Sequence, residues 1–313
     1  MERLELTVTR SQEGRTVGSL MRRELSMAEG LISSVKFRPD GILLNGQRVR
    51  ISTPVRAGDR LSVHVGDRGQ NTAAPLDLPL EILWEDDSLA VLDKPAGIAV
   101  YGEEGPNIAG ILAFKWGGDI EFHPVNRLDV GTSGLMAVAK DGYTHDRLRR
   151  LLHTEDFCRE YLAVVRGVPA PRRDTVDLSV SREAETGARR RIDPQGLPAR
   201  TEYQVLSAND GYSLVLLRLH TGRTHQIRLH MAAVGHPLVG DTLYGTPDPA
   251  ISRPALHSFR LRLRHPLTGE ILTLTAPIPT DLSALIEKTG LHDLPNGSLS
   301  DIMLGTPNKG ASL

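Results

Sequence analysis

The chain has a single cysteine, Cys158, among 313 residues. No intrachain disulfide can form, and nothing supports a structural zinc site. No apolar run approaches the length of a membrane span, and Met1-Glu2-Arg3-Leu4-Glu5 does not begin a signal peptide. The expected compartment is therefore the cytoplasm. A Gly-rich phosphate loop is missing. So is a nucleophile elbow of the Gly-x-Ser-x-Gly kind, which leaves a hydrolase reading without support. Internal repeats are absent too. Positive charge is not in excess: the net charge is −1, so any surface for nucleic acid must come from local clustering. Lysine is scarce, with six against 31 arginines. Arginine offers a planar fork for phosphate and stacks on bases, which lysine does not, although codon bias explains such a ratio equally well.

What is present fits an ordinary soluble globular chain, with 40% hydrophobic and 24% charged residues. Its length allows two domains with a sizeable core in the larger. Residues 1–66 read as a small α/β unit. Leu4 to Val8 alternates like an edge strand, and Thr16 to Leu25 carries Val17, Leu20 and Met21 at helical spacing. Ser26 is the expected N-cap of a second helix through Val35. Asn45-Gly46 between two apolar runs signals a hairpin. Residues 67–78 are polar and read as a flexible linker. A second domain is expected over 79–290, with strands at Leu80–Trp84, Leu89–Pro95, Phe157–Val165 and Ser213–Leu219. Helices are expected over Thr144–Leu152 and Thr224–Val234, the latter closed by Gly235. The fold class is α+β, on a mixed, largely antiparallel sheet. Residues 291–313 are Gly/Pro/Asn/Ser-rich and expected to be disordered.

The most informative stretch is Asn126-Arg127-Leu128-Asp129-Val130-Gly131-Thr132-Ser133-Gly134-Leu135, which runs into Met136-Ala137-Val138-Ala139. An arginine and a carboxylate stand before a Gly/Thr/Ser turn that feeds a buried-strand run. A carboxylate there has a rigid support and can point into a cleft, although Asp before Thr-Ser-Gly commonly just caps the turn. Three arginine clusters, Arg147 to Arg150, Arg189 to Arg191 and Arg260 to Arg264, are candidate anion surfaces, yet each alone is more often a solvated face. His220, His225, His230 and His236 lack a carboxylate pair or cysteine at zinc-like spacing, so no metal is expected.

The segment around Asp129 resembles the signature of RluA-type RNA pseudouridine synthases. Four further segments match that family in order: Ile82 to Gly97, Arg159 to Gly167, Gly196 to Tyr203, and Leu219 to Met231 continuing through Gly235 to Asp241 and Tyr244-Gly245. The resemblance covers residues 80 to 280. It departs at Asn126, where the family has His, at Arg159, where it has Lys, and over Tyr101 to Ile108, which lacks a His-Pro-type pattern. The order of elements in 1–66 resembles the alpha-L RNA-binding domain shared with a small-subunit ribosomal protein, with a ubiquitin-like or peptide-binding module as the alternative.

The resemblance implies an isomerase that converts uridine to pseudouridine in structured RNA, ribosomal or transfer. Asp129, Tyr161 and Arg228 would be its catalytic residues. Arg228 would pair bidentately with Asp129 and keep it ionised. Tyr161 would stack on the target base, and Arg127 would fill the space that a flipped uridine vacates. Arg159, Thr132, Ser133, His225 and Gln226 complete the expected substrate-side set, with Thr132 and Ser133 also bonding within the turn that aims Asp129. Breaking and rejoining a glycosidic bond needs no redox change or energy input, so no cofactor is expected. RNA is the expected partner, without membrane or metal, and the chain is expected to be a monomer. The rival reading is a non-catalytic RNA-binding or ribosome-assembly protein on the same fold.

Overall fold

The computed structural model describes residues 3–66, 71–102, 105–118, 120–183, 189–209 and 211–291. By compactness the chain divides into two units. The first takes Met1–Val91, Pro106–Val125 and Ala137–Arg150; the second takes Leu92–Gly105, Asn126–Met136 and Leu151–Leu313. This division does not follow the sequence boundaries at 66 and 79. Part of the 67–78 stretch and nearly all of the 291–313 tail lie outside the described residues.

The first unit opens with strand β1 (Arg3–Thr7) and helix α1 (Val17–Arg23). Thr16 caps α1, its hydroxyl accepting from the Ser19 amide, and Val17, Leu20 and Met21 are buried on the face their spacing predicts. Helix α2 (Glu29–Val35) starts later than the sequence suggests. Ser26 sits at φ 52° and Ala28 holds the N-cap position. With a left-handed backbone Ser26 turns the chain instead of capping it. Strands β2 (Ile42–Leu44), β3 (Gln47–Arg48) and β4 (Arg60–His64) complete a sheet of order β1-β4-β2-β3. The β2–β3 turn is Asn45-Gly46, both at positive φ (52° and 79°), the geometry that a tight hairpin demands.

The unit continues with β5 (Glu81–Glu85), β6 (Leu89–Lys94), α3 (Ile108–Lys115), β7 (His123–Pro124), β8 (Ser133–Ala139) and α4 (Gly142–Leu151). Strands β6 and β8 each pass from one unit into the other. Helix α3 has no polar stripe: Ile108 through Ala113 are all buried. Residues 71–78 lie along it, with Asn71 donating to the Ala109 carbonyl and the Leu76 amide to the Gly110 carbonyl. Gly110 permits this approach, since a Cβ there would stand 2.6 Å from the Ala74 oxygen.

In the second unit, β9 (Phe157–Arg166), β10 (Arg173–Asp177), β13 (Arg200–Ala208), β14 (Tyr212–Leu219), β15 (Leu256–Arg264) and β16 (Ile271–Thr275) build the sheet. Between β10 and β13 stands a small hairpin, β11 (Val180–Arg182) and β12 (Arg190–Ile192). Helices α5 (Gln226–Ala233) and α6 (Thr280–Lys288) follow β14 and β16. The order is β10-β13-β14-β9-β15-β8, with β16 on β15. Every pairing here is antiparallel except β15 with β8, which run parallel at Ser133–His257 and Gly134–Ser258. The sheet is thus mixed and largely antiparallel, as expected. Gly134 makes the parallel pair possible: at φ 108° it accepts no side chain, and a Cβ would lie 2.2 Å from the Ser258 oxygen. Leu162, Val164, Leu214, Phe259, Leu282, Leu285 and Ile286 form one core cluster. Burying each such side chain contributes about 1.5–3 kcal/mol before entropy is counted.

The arginines of Arg260 to Arg264 alternate with buried Leu261 and Leu263 along β15. Arg260 pairs with Glu160, Arg262 donates to the Glu155 carbonyl, and Arg264 pairs with Asp156. This cluster is a partnered strand face.

Candidate active site

Asp129 lies in the loop that enters β8. Its carbonyl accepts the Thr132 amide at 3.0 Å, closing the turn that the sequence predicts. The side chain is 24% exposed. Two cation-capable groups approach one of its oxygens, Oδ2: Arg228 Nη1 at 3.5 Å and His225 Nε2 at 3.9 Å.

Arg228 does not fork onto Asp129 as the sequence reading expects. Its bidentate partner is Asp241, with Nε to Oδ2 at 2.7 Å and Nη2 to Oδ1 at 2.8 Å. Only Nη1 is left to reach Asp129. The geometry explains the choice: the Asp241 side chain is fully buried, 0% exposed, and a buried carboxylate requires a hydrogen-bonded countercharge. Asp241 also accepts the amides of Leu243 and Tyr244. The Arg228 guanidinium holds its carboxyl below the ordinary carboxylate range, against burial pushing the other way. The guanidinium stacks 5.3 Å from the Tyr244 ring centroid. Arg228 is thus a fixed cation clamped on two sides, presenting one nitrogen to Asp129.

Tyr244 extends the network. Its hydroxyl accepts the Arg190 amide at 2.8 Å and lies 3.0 Å from His225 Nδ1. With the tyrosine proton given to Nδ1, the hydrogen-bond pattern places the imidazole proton on Nε2, the nitrogen nearer Asp129. Burial holds the His225 imidazole below its ordinary value, which favours that neutral form. His225 itself has a left-handed backbone, φ 58°, at the N-cap of α5.

Tyr161 is buried on β9, and its hydroxyl bonds Ser258, which in turn donates to the Leu135 carbonyl. Burial pushes its phenol above the ordinary range, and the charge of Asp129 adds in the same direction. Tyr161 therefore stays protonated near neutral pH, within electrostatic reach of Asp129.

The remaining expected substrate residues fall behind these groups. Arg159 is buried, donates to the Leu152 carbonyl and stands 5.9 Å from the Phe157 ring centroid. Thr132 and Ser133 are buried, and Ser133 Oγ lies 3.0 Å from His257 Nδ1. Gln226 is buried too. It accepts from Thr221 and Arg223, and donates to the Arg200 carbonyl and the Thr201 hydroxyl. These side chains brace the loops around the site. The other histidines are apart from one another: His220 faces Glu202, His230 bridges Thr201 and the Leu178 carbonyl, and His236 meets the Arg166 carbonyl.

Arg127 is exposed, and its Nη1 donates to the Tyr101 hydroxyl at 2.6 Å. It lines an open groove of about 520 Å³ together with Arg182, Arg190 and Arg223, and with Gly196 and Leu197 from the chain between β12 and β13. Four arginines on one groove make a local basic surface on a chain of net charge −1. Sequence clustering pointed only to Arg190, because Arg127, Arg182 and Arg223 come from separate segments of the chain.

Lys94, Asp241 and Tyr244 carry no assigned role in the sequence. Lys94 is fully buried, and its Nζ donates to the carbonyls of Pro95 and Ile98 at 2.8 Å and of Val130 at 3.4 Å. Burial pulls its ammonium down to about 8, with Asp129 opposing.

The model of the RNA pseudouridylate synthase family matches residues 88–233. An uncharacterized RNA pseudouridine synthase of Bacillus subtilis, YhcT, is 33% identical over 290 residues, 90% of this chain and 96% of that one. The ribosomal large subunit pseudouridine synthase D of Escherichia coli O157:H7 is 34% identical over 271 residues, covering 79% and 82%. Among solved structures, human RNA pseudouridylate synthase domain containing 1 superposes with a TM-score of 0.56 at 28% identity, covering 74% of this chain and 97% of the human one. The chain belongs to the RNA pseudouridine synthase family, and it is an isomerase of uridine in RNA.

Proposed function

We propose that the chain isomerises uridine in structured ribosomal RNA, with Asp129 as the reacting carboxylate and no cofactor. The observation that carries the assignment to Asp129 is its contact with Arg228 Nη1 at 3.5 Å, from a guanidinium whose other side is locked on Asp241. A cation fixed in this way stabilises a carboxylate as it attacks and as it leaves, with no reorganisation at the moment of reaction. In the reaction the C1′–N1 bond breaks, the uracil turns, and a C1′–C5 bond forms. The proton on C5 is lost and N1 gains one. Atoms and electrons are conserved, so no oxidant, reductant or activated donor is called for. Asp129 acts either as nucleophile at C1′ or as base at the ribose. By the family resemblance Tyr161, protonated near neutral pH, would stack on the target base and its hydroxyl would help move the C5 proton.

Ribosomal RNA is favoured over transfer RNA because several of the similar proteins are named large-subunit pseudouridine synthases. The arginine-lined groove beside Arg127 would hold the RNA backbone next to the target. Residues 3–66 carry eleven Lys and Arg against six Asp and Glu, a local positive balance that supports the alpha-L-type RNA-binding role for this part. The compartment proposed is the cytoplasm. Mapping pseudouridines in ribosomal and transfer RNA, with and without the gene and with Asp129→Asn, tests the reading. One or more ribosomal positions should lose pseudouridine both without the gene and with Asp129→Asn, while the purified variant binds RNA within a few-fold of wild type. A variant that restores full modification would overturn the role of Asp129, and a loss confined to transfer RNA would overturn the substrate.

A further inference from the structure

The loop that carries Asp129 is held carbonyl by carbonyl. The Asp129 oxygen accepts from Thr132, and the Val130 oxygen from the Gly97 amide at 2.8 Å and from Lys94 Nζ. The Gly131 oxygen accepts from Arg253 Nη1 at 3.1 Å. Gly131 also packs close to the next residue of that segment: a Cβ on it would stand 3.0 Å from Pro254 Cδ.

Arg253 is itself fully engaged. Nη1 also reaches the carbonyls of Pro254 and Leu256, at 3.3 and 3.0 Å. Nε and Nη2 fork onto Asp281, at 2.6 and 2.9 Å. Asp281 belongs to the first turn of α6, at the opposite end of the unit's sequence from Asp129. A guanidinium is planar, so fixing one edge on a carboxylate fixes where the other edge points. The Asp281 carboxylate determines the plane, and the plane brings Nη1 to the Gly131 carbonyl.

The asymmetry of burial tells what this pair is for. The Arg253 side chain is 10% exposed, whereas that of Asp281 is 45% exposed. An ion pair half open to water adds little to stability. It still orients, because the bidentate geometry survives solvent contact on one side.

We infer that Arg253 and Asp281 are positioning residues, which hold the Asp129 loop at its working distance from Arg228. The inference rests on Asp129 being the reacting group. A displacement of about 1 Å costs on the order of 10²-fold in rate, and the loop has one side-chain donor on Gly131 with which to resist it.

The test compares Asp281→Asn, Asp281→Glu and the charge exchange Arg253→Asp with Asp281→Arg. For each, the measurements are the single-turnover rate at saturating RNA, the RNA Kd, the thermal midpoint, and backbone amide exchange over 127–135. Asp281→Asn should lower the rate about 10- to 100-fold. Its Kd should stay within twofold and its midpoint nearly unchanged, and exchange should rise at Thr132. Asp281→Glu, which keeps the fork acceptor, should recover most of the rate. The exchange variant keeps the two opposite charges but has no donor for the Gly131 carbonyl, so its rate should stay low.

A normal rate in Asp281→Asn, or a full rate in the exchange variant, overturns the inference. So does exchange that rises evenly across the whole unit. If the wild type does not isomerise uridine at all, the proposed function falls, yet amide exchange still decides whether Arg253 and Asp281 hold the loop.

Discussion

Arg228→Ala should damage stability and chemistry by separable amounts. The stability loss follows from Asp241, whose side chain is 0% exposed and would keep its charge with no countercharge. Removing one partner of a buried pair costs about 3–5 kcal/mol. At roughly 2–4 °C per kcal/mol for a unit of this size, the thermal midpoint should fall by about 6–20 °C. The chemical loss follows from Asp129. Two unit charges 3.5 Å apart interact by about 4–5 kcal/mol at an effective dielectric near 20. Asp129 is partly exposed, so screening leaves about 3 kcal/mol. At about 1.4 kcal/mol per tenfold, that is a rate loss of about 10²-fold. The assay is single-turnover conversion at saturating RNA, run well below the lowered midpoint. A companion variant, Arg228→Ala with Asp241→Asn, removes the stranded charge. Its midpoint should recover in part while its rate stays low. A rate within tenfold of wild type in Arg228→Ala, or recovery of the rate in the double variant, would refute the reasoning.

Arg127→Ala should be severe on folded RNA and mild on a short unstructured oligonucleotide with the same uridine, since only the former demands unstacking of the base; equal losses on both would make Arg127 a general phosphate contact. Arg223→Ala, in the groove, should weaken RNA binding and reduce the slope of log K against log salt by about 0.7 if the contacted stretch is single-stranded; an unchanged slope removes Arg223 from the RNA path. Burial holds the His257 imidazole down to about 4, against about 6.5 in an unfolded chain. Between those values the unfolded chain binds a proton that the native one does not, so stability should fall as pH drops from about 6.5 to about 4, by on the order of 3 kcal/mol, with no further change from this group at higher pH. A His257→Gln variant should show a flatter midpoint–pH profile over that window, and identical profiles would count against a buried neutral His257.

Contiguous features of the sequence translated well into structure. The Asn45-Gly46 turn, the α1 stripe, and the strand patterns of β6, β9 and β14 all rest on local periodicity or local backbone preference. The Asp129 turn was legible for the same reason. Arg228 was recognised as the cation near Asp129, but its fork partner was not. Asp241 comes after the turn that ends α5, and no helical or strand spacing relates the two. Ser26 has the chemistry of an N-cap and the backbone of a turn, a distinction made by φ alone. The arginines of β15 looked like a charge cluster because sequence shows proximity along the chain, while Glu160 on β9 and Asp156 just before it pair with Arg260 and Arg264. Helix α3 was invisible because its run Ile108–Ala113 is buried without a polar stripe and so gives no amphipathic signal. Lys94 and Tyr244 act through backbone carbonyls and shared hydroxyls, and neither leaves a trace in residue order.

The parallel pairing of β8 with β15 also sets a schedule for the working molecule. Ser133 and Gly134 pair with His257 and Ser258, so this pairing, which backs the Asp129 loop, cannot form until more than a hundred further residues have been made. At synthesis rates of about 5–20 residues per second, the wait is on the order of 6–25 s. During that time an unfinished chain already displays the basic amino-terminal residues, yet it holds an unbraced Asp129. On the RNA-binding role proposed for those residues, the unfinished chain would meet RNA during translation, before the β8–β15 pair and the α6 contact of Arg253 have formed around the Asp129 loop.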